Sequence, residues 1–469
     1  MRKLIFIAIL FITNFSFAQN EGNIWYFGTN AGIDFNGAVP VALNDGQTAV
    51  IEGTASIADP SSGKVLFYTD GGNVWDSTHN IMPNGTGLMG TGTTTQAALI
   101  VRHPCSKRKY YIFTIEAETG SNGLRYSTVD MCLNSGKGDI VVKNFPLYSF
   151  PMAEKLTVAK HSNGIDVWVL AHEFGSNKFL AYPITCSGIG APTVSNVGLP
   201  YSFDGDEYGQ MKISPNGTII GSTIYYTTSK VEIYDFDNST GSISSTLVIY
   251  NIDNPWGLEF SPDNTKLYVS QYATLPSAIF QFDLTAGSDT AINNSKTLIY
   301  DLSPYAIRSF QLDPYKQKIY AASSSSNYLG VINSPNSLGI SCNYINNGFQ
   351  VAPGTSVWVG LPNTVLTFAP DSSVIDCDSI SGINSFENYF NFKLYPNPTA
   401  HFSILEFTNP TRQNCTLTLY DLNGQLVKTI NNITEEKVKI ERHNLSNGFY
   451  FFQLLTDKQI IASGKLIIE

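Results

Sequence analysis

A short pattern recurs with a period near 50 residues, and it constrains the fold more than any other feature of the chain. Each copy has an apolar strand, then Ser, Asp or His with an adjacent turn residue, usually Pro, then an aromatic-rich strand. Residues 261–269, Ser-Pro-Asp-Asn-Thr-Lys-Leu-Tyr-Val, are one clear copy. The copies are anchored at positions 60, 104, 162, 215, 262, 314 and 370, which gives intervals of 44, 58, 53, 47, 52 and 56. This period, with several short strands per unit, is typical of a β-propeller.

Seven anchors predict seven blades. The last copy has only an inner strand, around Leu361 to Phe368, before the pattern stops. Strand-like segments near the N-terminus, residues 25–27 and 32–35, have no anchor of their own, so we expect them to complete the last blade and remove exposed sheet edges. The sequence therefore predicts an all-β protein with a seven-bladed β-propeller over residues 20–370 and a small C-terminal β-sandwich. A pair of β-sandwiches is the alternative for the first region.

Composition agrees with an all-β fold and excludes one class of partner. The chain has 25 Tyr, 28 Phe and 38 Gly, and aromatic residues favour half-buried strands while Gly favours tight turns. The formal net charge is −10. Binding of a phosphate backbone needs clustered cations, so we expect no nucleic-acid partner.

The N-terminus has the pattern of a secretory signal peptide over residues 1–18. Arg2 and Lys3 precede a mostly apolar run, and Ser16 and Ala18 are small residues at the positions that a signal peptidase reads. The apolar run is shorter than the roughly 20 residues that a bilayer requires. We therefore expect an exported chain with no stable membrane span.

The propeller region resembles bacterial surface propellers of the YVTN-like kind. The resemblance rests on residues 261–269 and on the opening segments 25–28 and 31–35, which look like the start of propeller regions in large secreted Bacteroidota proteins. It covers roughly residues 20–370. It implies a fold and no particular function, because propellers carry many activities.

Four short motifs mark the C-terminal region. Residues 371–388 indicate a linker, and a compact β unit follows over residues 389–469. Segments 394–399, 419–427, 445–450 and 464–468 of this unit resemble, in order, the motifs of the type A sorting domain of the type IX secretion system. The residues that carry the resemblance are Tyr395, Pro396, Asn397, Pro398, Asp421, Asn423, Gly424, Gly448, Tyr450 and Lys465.

This resemblance implies a route out of the cell and a partner. The chain would cross the inner membrane by its signal peptide, fold in the periplasm, and pass the outer membrane through the type IX translocon. In that family the sorting domain is usually cleaved, which leaves the cargo released or linked to surface lipopolysaccharide. We expect a secreted or outer-surface location.

The cysteines indicate disulfides and no metal centre. Export implies an oxidising compartment, and no C-x-x-C pair is present. Cys105 and Cys132 fall within one repeat, so we expect them to pair, and Cys342 and Cys377 could pair near the end of the region. Residues 204–207, Asp-Gly-Asp-Glu, resemble part of a calcium loop but lack its distal ligands. A solvated turn is the favoured reading, with no cofactor expected.

One set of polar residues forms a candidate site. In a propeller, residues just before each inner strand line one mouth of the central channel. Counting eight back from the anchors gives Glu52, Gln96, Glu154, Glu207, Asn254, Ala306 and Pro362. Trp256 and Arg308, six back from their anchors, lie close by. Such an acidic ring could bind a cation, or sugar hydroxyls beside an aromatic platform. The alternative is that these side chains satisfy backbone groups at strand starts.

No catalytic motif is present. The sequence has neither a nucleophile elbow nor a P-loop. We therefore expect a binding or adhesion protein whose propeller recognises a glycan, surface polymer or protein. The first alternative is a propeller hydrolase or lyase acting on polysaccharide with Glu52, Glu154 and Glu207. The second is a structural surface or gliding-associated component.

Overall fold

Short runs of β-branched and aromatic residues between turn residues form antiparallel strands throughout this computed structural model, which confirms the all-β prediction. The structure describes residues 20–272, 277–302, 306–363 and 392–469, with breaks in the last range at 408, 410–411, 422–424 and 457–459. These residues fall into two compact units, 20–363 and 392–469. The predicted signal peptide, the linker and the boundaries at 370 and 389 lie outside the described residues.

The first unit contains seven antiparallel sheets in chain order. The first three sheets are β1 (Ile24–Phe27), β2 (Ala31–Asp34) and β3 (Val41–Leu43); β4 (Ala55–Ala58), β5 (Val65–Thr69), β6 (Asn73–Asp76) and β7 (Ile81–Thr86); and β8 (Ala98–Arg102), β9 (Lys109–Ile115), β10 (Leu124–Asp130) and β11 (Asp139–Tyr148). The fourth sheet is β12 (Met152–Lys160), β13 (Val167–Glu173), β14 (Lys178–Thr185), β15 (Gly188–Ile189) and β16 (Thr193–Asn196).

The remaining three sheets follow the same order. They are β17 (Met211–Ile213), β18 (Ile219–Ile224), β19 (Lys230–Asp237) and β20 (Ser242–Ile249); β21 (Pro255–Phe260), β22 (Lys266–Gln271), β23 (Ser277–Asp283) and β24 (Thr297–Leu302); and β25 (Ile307–Leu312), β26 (Ile319–Ser323), β27 (Tyr328–Ile332) and β28 (Tyr344–Gln350). Helical structure in the described residues is limited to α1 (Asp289–Asn294) and two short 3-10 turns (Asn134–Gly136 and Gly339–Cys342).

The recurring anchor sequence forms a tight turn between the first two strands of a sheet. In the copy at 261–266, the Ser261 hydroxyl donates to the Asp263 carboxylate at 2.6 Å and accepts from the backbone N–H of Lys266 at 2.8 Å. Asn264 takes the left-handed conformation, with φ of 64°, which Asn tolerates better than most residues. The short polar side chains therefore fix the turn that reverses the chain.

Buried hydrophobic clusters join each sheet of the first unit to the next sheet. Ile24 and Tyr26 of the first sheet pack on Tyr68 of the second, and the series continues in chain order to the seventh sheet. The seventh sheet then packs on the first, where Tyr320 meets Trp25. A parallel bridge also pairs Thr54 with Pro362. The predicted N-terminal strands are present as β1 and β2, whereas most of the predicted strand at 361–368 lies outside the described residues.

The predicted Cys105–Cys132 disulfide is wrong. Cys105, in the turn after β8, is bonded to Cys186, in the turn after β14, with their Cα atoms 5.0 Å apart. Because a cysteine sulfur forms one disulfide, Cys105 is not available to Cys132. The possible pairing of Cys342 is also wrong, because Cys342 is a free buried thiol.

The second unit is a small β-sandwich. Its sheets are β29 (Phe392–Tyr395), β30 (Phe402–Phe407) and β33 (Lys437–Glu441), facing β32 (Leu426–Ile433), β31 (Cys415–Tyr420), β34 (Gly448–Leu455) and β35 (Ile460–Ile468). Alternate residues of both sheets, such as Leu405, Ile440, Leu417 and Phe452, meet in one core. The alternation along each strand has the period of two that one buried sheet face requires.

Candidate functional site at the starts of the first strands

The first strands of neighbouring sheets contact one another, so residues at their starts share one level of the unit. Glu52 precedes β4, Glu154 lies early in β12, Trp256 lies in β21 and Arg308 lies in β25. The structure brings these four predicted residues together through direct contacts and short-range charge interactions. We call them, with Thr95, Tyr208, Tyr225 and Tyr272, the strand-start cluster.

Two buried carboxyl groups flank the Thr95 hydroxyl. Glu154 Oε2 accepts from the Thr95 backbone N–H at 2.7 Å and from its hydroxyl at 3.0 Å, and Glu154 Oε1 accepts from the Glu118 N–H at 3.0 Å. Glu52 also interacts with the Thr95 side chain. Because the hydroxyl carries one proton, it can donate to only one of the two carboxyl groups at a time.

Burial favours the protonated form of both carboxyl groups. It raises the pKa of Glu52 to about 8, with repulsion from Glu154 adding to the rise and Arg308 opposing it. Burial raises the pKa of Glu154 to about 7, although its N–H donors oppose the rise. Two nearby carboxyl groups in one desolvated site therefore have pKa values near neutrality.

Arg308 links the carboxyl groups to the aromatic side chains. Its guanidinium carbon lies 4.4 Å from the centroid of the Trp256 ring and 4.1 Å from that of Tyr272. Its Nη1 is 3.4 Å from Glu52 Oε1. A guanidinium between two rings is stabilised by the negative faces of both.

Three tyrosines complete the cluster, and the anchor count did not predict them. Tyr208 stacks on Trp256 with centroids 5.8 Å apart, and Tyr225 meets Trp256 edge-on at 4.9 Å. Tyr225 also lies 6.1 Å from Tyr272. These tyrosines sit beside or beyond strand ends, where loop length differs between repeats. Their positions relative to the anchors therefore carried no common signal, although Tyr208 adjoins the predicted Glu207.

Lys155 is a fully buried cation beside the cluster, and the sequence analysis did not predict it. Its ammonium donates to the carbonyl oxygens of Glu207, Tyr208 and Gly209 at 3.1, 2.6 and 3.3 Å. Burial lowers its pKa to about 7, and Glu154 and Glu207 oppose that change. The predicted residue Glu207 accepts from the Gly205 N–H at 2.8 Å, so its carboxylate holds its own loop.

Gln96 does not belong to an open ring. Its side chain accepts from the backbone N–H groups of Leu156 and Met211 and donates to the Met211 carbonyl and Asn363. Gln210 bonds in the same way to the backbone of Leu258 and Phe310. We call Gln96, Gln210 and Asn363 the amide bridge. The Gln96 side chain therefore satisfies backbone groups at strand starts, which was the alternative to a binding role.

Asn254 and the acidic segment 204–207 meet the cluster through backbone groups: the Glu207 carbonyl accepts from the Glu154 N–H at 3.0 Å, and the Asn254 carbonyl accepts from the Tyr272 N–H at 2.9 Å. Asn254 has φ of 48°, and its backbone N–H donates to Ser229. Asp206 accepts from the backbone N–H and hydroxyl of Thr228 at 3.0 and 2.8 Å, which ties two loops together. Within the described residues no group of three or more His, Cys, Asp or Glu side chains could hold a metal ion.

Three buried polar atoms of the strand-start cluster have no hydrogen-bond partner among the described residues. They are Glu52 Oε2, Trp256 Nε1 and Arg308 Nε. Glu52 is 8% exposed and Trp256 is 4% exposed. A buried polar group left unpaired costs about 1–3 kcal/mol. One carboxyl oxygen and two N–H donors, on side chains that contact one another, are thus left without a hydrogen-bond partner.

The motif residues of the second unit hold its first strand to its last. Asn397 donates to the Lys465 carbonyl at 2.7 Å and accepts from the Ile467 N–H at 2.8 Å. Tyr395 donates to Glu406, the Tyr450 hydroxyl donates to the Ser446 carbonyl, and Gly448 has φ of 149°, which only Gly adopts readily. Asp421 accepts from the Gln425 N–H, whereas Asn423 and Gly424 lie outside the described residues.

Comparison with protein families identifies the second unit. Residues 393–469 match the family of the secretion system C-terminal sorting domain. This confirms the predicted type IX sorting domain at the C-terminus, and with it export to the cell surface or secretion through the type IX machinery. Among the described residues no helix is long and apolar enough to cross a membrane.

The remaining comparisons carry no argument about activity. No curated protein shows significant similarity to the chain. A putative 6-phosphogluconolactonase from Bacteroides fragilis is 14% identical, with 72% of this chain and 96% of that chain covered and a TM-score of 0.45. The periplasmic gluconolactonase of Pseudomonas aeruginosa is 13% identical, with 80% and 94% covered and a TM-score of 0.35.

Proposed function

Because residues 393–469 form a sorting domain that directs export, we propose that the rest of the chain acts outside the cell as a saccharide-binding or adhesion protein. In this proposal the seven sheets are the blades of a seven-bladed propeller, and the strand-start cluster is the binding site. The return of the hydrophobic contacts from the seventh sheet to the first supports the ring.

The observation that carries the proposal is the set of unpaired polar atoms at Glu52, Trp256 and Arg308. A sugar hydroxyl both donates and accepts hydrogen bonds, so neighbouring hydroxyls could pair with two N–H donors and a carboxyl oxygen at once. Sites for small ligands combine apolar and aromatic walls with a few such convergent polar groups.

The aromatic surroundings fit the same ligand. Tyr208, Tyr225 and Tyr272 are partly exposed around Trp256. Beyond them, Tyr226 is 61% exposed and lies 5.9 Å from Tyr225. Exposed rings next to buried unpaired polar groups give the apolar C–H face of a sugar a surface to stack on.

The test is an oligosaccharide array probed with the labelled full-length mature protein. We expect binding to one or a few related glycans. Tyr225→Ala combined with Tyr272→Ala should weaken that binding at least about tenfold, equivalent to about 1.4 kcal/mol. Tyr250→Ala is the matched control, because Tyr250 is also exposed but lies after β20 and contacts Lys230. Equal binding by both variants would contradict the proposal.

A second candidate function is hydrolysis or elimination at a polysaccharide. The observation that favours it is the pair of carboxyl groups with pKa values of about 8 and about 7, since a general acid or base works best near the operating pH. Glu154→Gln should then abolish release of reducing ends from the bound glycan while binding persists. If the wild-type protein binds the glycan but releases no product, the hydrolase or lyase function is contradicted and the binding function stands.

A further inference from the structure

A cavity opens at the ends of the first strands opposite the strand-start cluster. Its volume is about 230 Å³, and its lining includes Trp25, Lys160, Asn216, Gln311, Lys316 and Asn363. Lys160 ends β12 and Gln311 lies near the end of β25. Lys316 and Asn216 belong to the anchor turns that follow first strands. We call this the strand-end cavity.

The amide bridge separates this cavity from the strand-start cluster. Asn363 lines the cavity and its side chain bonds to Gln96 at 3.2 Å and to the carbonyls of Leu156 and Ala98 at 2.7 and 3.3 Å. Gln210 ties β21 to β25 at the same depth. The two sites are therefore distinct, and an inference about the cavity does not rest on the saccharide site.

Two exposed lysines, Lys160 and Lys316, line this cavity. Partial burial lowers the pKa of Lys160, and repulsion from Lys316 lowers it further, whereas Glu21 opposes the change. The Lys316 ammonium lies 3.4 Å from the Pro215 carbonyl of a turn two sheets away. Lys316 has φ of 55°, as Asn264 has φ of 64° at the equivalent position of its anchor turn, so the turn fixes where the Lys316 side chain starts.

The acidic groups near the cavity already have partners. Glu259 lies 3.4 Å from the Lys212 ammonium and accepts from the Leu312 N–H. Asp313 accepts from the backbone N–H groups of Gln317 and Lys318 at 2.8 and 3.0 Å, and Glu21 pairs with Arg102 at 3.1 Å. Within the described part of the chain, Lys160 and Lys316 form no ion pair. Glu259 and Asp313 line the cavity, but these carboxyl groups and that of Glu21 are engaged with other groups, so the two lysine charges at the cavity are not paired with them.

We propose that the strand-end cavity binds a small molecule of about monosaccharide size that carries a carboxylate or phosphate. Its anionic group would lie between the Lys160 and Lys316 ammonium groups and relieve their repulsion. The remainder would lie against Gln311, Asn216 and Trp25, which also line the cavity. Both anionic groups offer the oxygen acceptors that an ammonium pair requires.

The test is isothermal titration of the full-length mature protein with glucuronate, glucose 6-phosphate and inorganic phosphate, with glucose as the neutral counterpart. We expect at least one anion to bind and glucose to bind at least about tenfold more weakly. Binding should weaken as NaCl is raised, because salt screens a charge-based site. The carboxylate and phosphate arms decide which anionic group the site prefers.

Variants separate a built site from non-specific attraction. Lys160→Met combined with Lys316→Met should reduce anion affinity at least about tenfold, whereas Lys160→Arg with Lys316→Arg should retain it and shows that the region still folds. Lys64→Met is the matched control, because Lys64 is an exposed lysine in the anchor turn of the second sheet and does not line the cavity. Absence of anion binding, or equal binding by the Met variant and wild type, would overturn the proposal.

Discussion

At the scale of single residues, the strand-start cluster buries ionisable side chains, and neighbouring groups offset only part of the cost of that burial. Glu52 and Glu154 are nearly inaccessible and lie close enough to repel one another. Arg308 offsets part of the cost for Glu52, and N–H groups from Thr95 and Glu118 offset part of the cost for Glu154. A stable core would favour apolar residues at these positions, and the proposed saccharide site gives these carboxyl groups a use.

The raised pKa values predict a pH dependence of stability. Both carboxyl groups keep protons in the folded state up to pH 7 or 8 but lose them near pH 4.5 when unfolded. Between pH 5 and 7 the folded state binds more protons, so the free energy of unfolding falls as pH rises, by at most about 1.4 kcal/mol per pH unit for each group. Lys155, with a folded-state pKa of about 7, acts in the opposite direction from about pH 6 upward, so it offsets part of the fall between pH 6 and 7 and the fall is clearest between pH 5 and 6.

The measurement is thermal melting of wild type and of Glu52→Gln combined with Glu154→Gln at pH 5, 6 and 7. The wild-type midpoint should fall across this range, and the Gln variant should lose most of that slope. Glu118→Gln is the control, because Glu118 contributes its backbone N–H rather than its carboxylate to the cluster. Identical slopes for wild type and the double variant would contradict the assignment.

Counting back from the anchor turns predicted part of this site for a physical reason. The anchor turn follows the end of each first strand, so equal offsets back from that turn reach the same level of neighbouring strands. Glu52, Glu154, Trp256 and Arg308 therefore meet. The same count could not show that Gln96 reaches across to Met211, because that depends on side-chain direction. Nor could it find Tyr225 or Tyr272, which follow second strands.

At the scale of elements, the amide bridge holds first strands together where no strand pairing does. Gln96→Leu has nearly the same volume but removes every polar contact with Leu156, Met211 and Asn363. With several buried partners left unpaired at about 1–3 kcal/mol each, we expect a loss of at least about 3 kcal/mol. Denaturant unfolding measures it.

A matched change at an exposed glutamine provides the control for Gln96→Leu. Gln47 is exposed and its side chain bonds only locally, to the Asp45 carbonyl. Gln47→Leu should therefore change stability by no more than about 0.5 kcal/mol. A similarly small effect of Gln96→Leu would show that the bridge contributes little.

The Cys105–Cys186 disulfide joins turns of two neighbouring sheets. It closes a loop of 81 residues, and a crosslink over that length restricts the unfolded chain by about 4.5 kcal/mol in the chain-entropy model. Cys105→Ser with Cys186→Ser should lower the free energy of unfolding by roughly 2–5 kcal/mol under oxidising conditions. Under reducing conditions the difference from wild type should nearly vanish, and persistence of the full difference there would contradict the crosslink.

At the scale of the whole molecule, the repeat period predicted the sheets of the first unit, and the C-terminal motifs predicted the sorting domain. The period indicated sheets of short strands, and antiparallel sheets occur in chain order from Ile24 to Gln350. The ring of seven blades remains a proposal. The disulfide partners could not be predicted, because spacing along the chain does not show which turns meet between neighbouring sheets. The motifs of the sorting domain were more informative because each contains residues with a specific backbone contact, such as Asn397.

Asn397 gives a direct test of the export signal. Asn397→Ala removes both hydrogen bonds that fasten the opening motif to β35, which should destabilise the second unit by about 1–3 kcal/mol. We expect less protein in the medium and on the surface and more in the periplasm, measured by immunoblotting of cell fractions. Asn447→Ala, which removes a single contact with Arg442, should have a smaller effect on export. Equal export of the wild type and both variants would show that the two Asn397 hydrogen bonds are not needed for export.

The central claim, that the strand-start cluster binds a saccharide, is tested most directly at the Trp256 indole. The chain has five tryptophans. Trp168 and Trp358 donate their indole N–H to Asn238 and Thr29, so in a ¹⁵N-Trp-labelled protein they serve as internal controls. The strongest oligosaccharide from the array should shift the Trp256 indole resonance, assigned with Trp256→Phe, and leave those of Trp168 and Trp358 in place. An unchanged Trp256 resonance with saturating oligosaccharide would contradict the account.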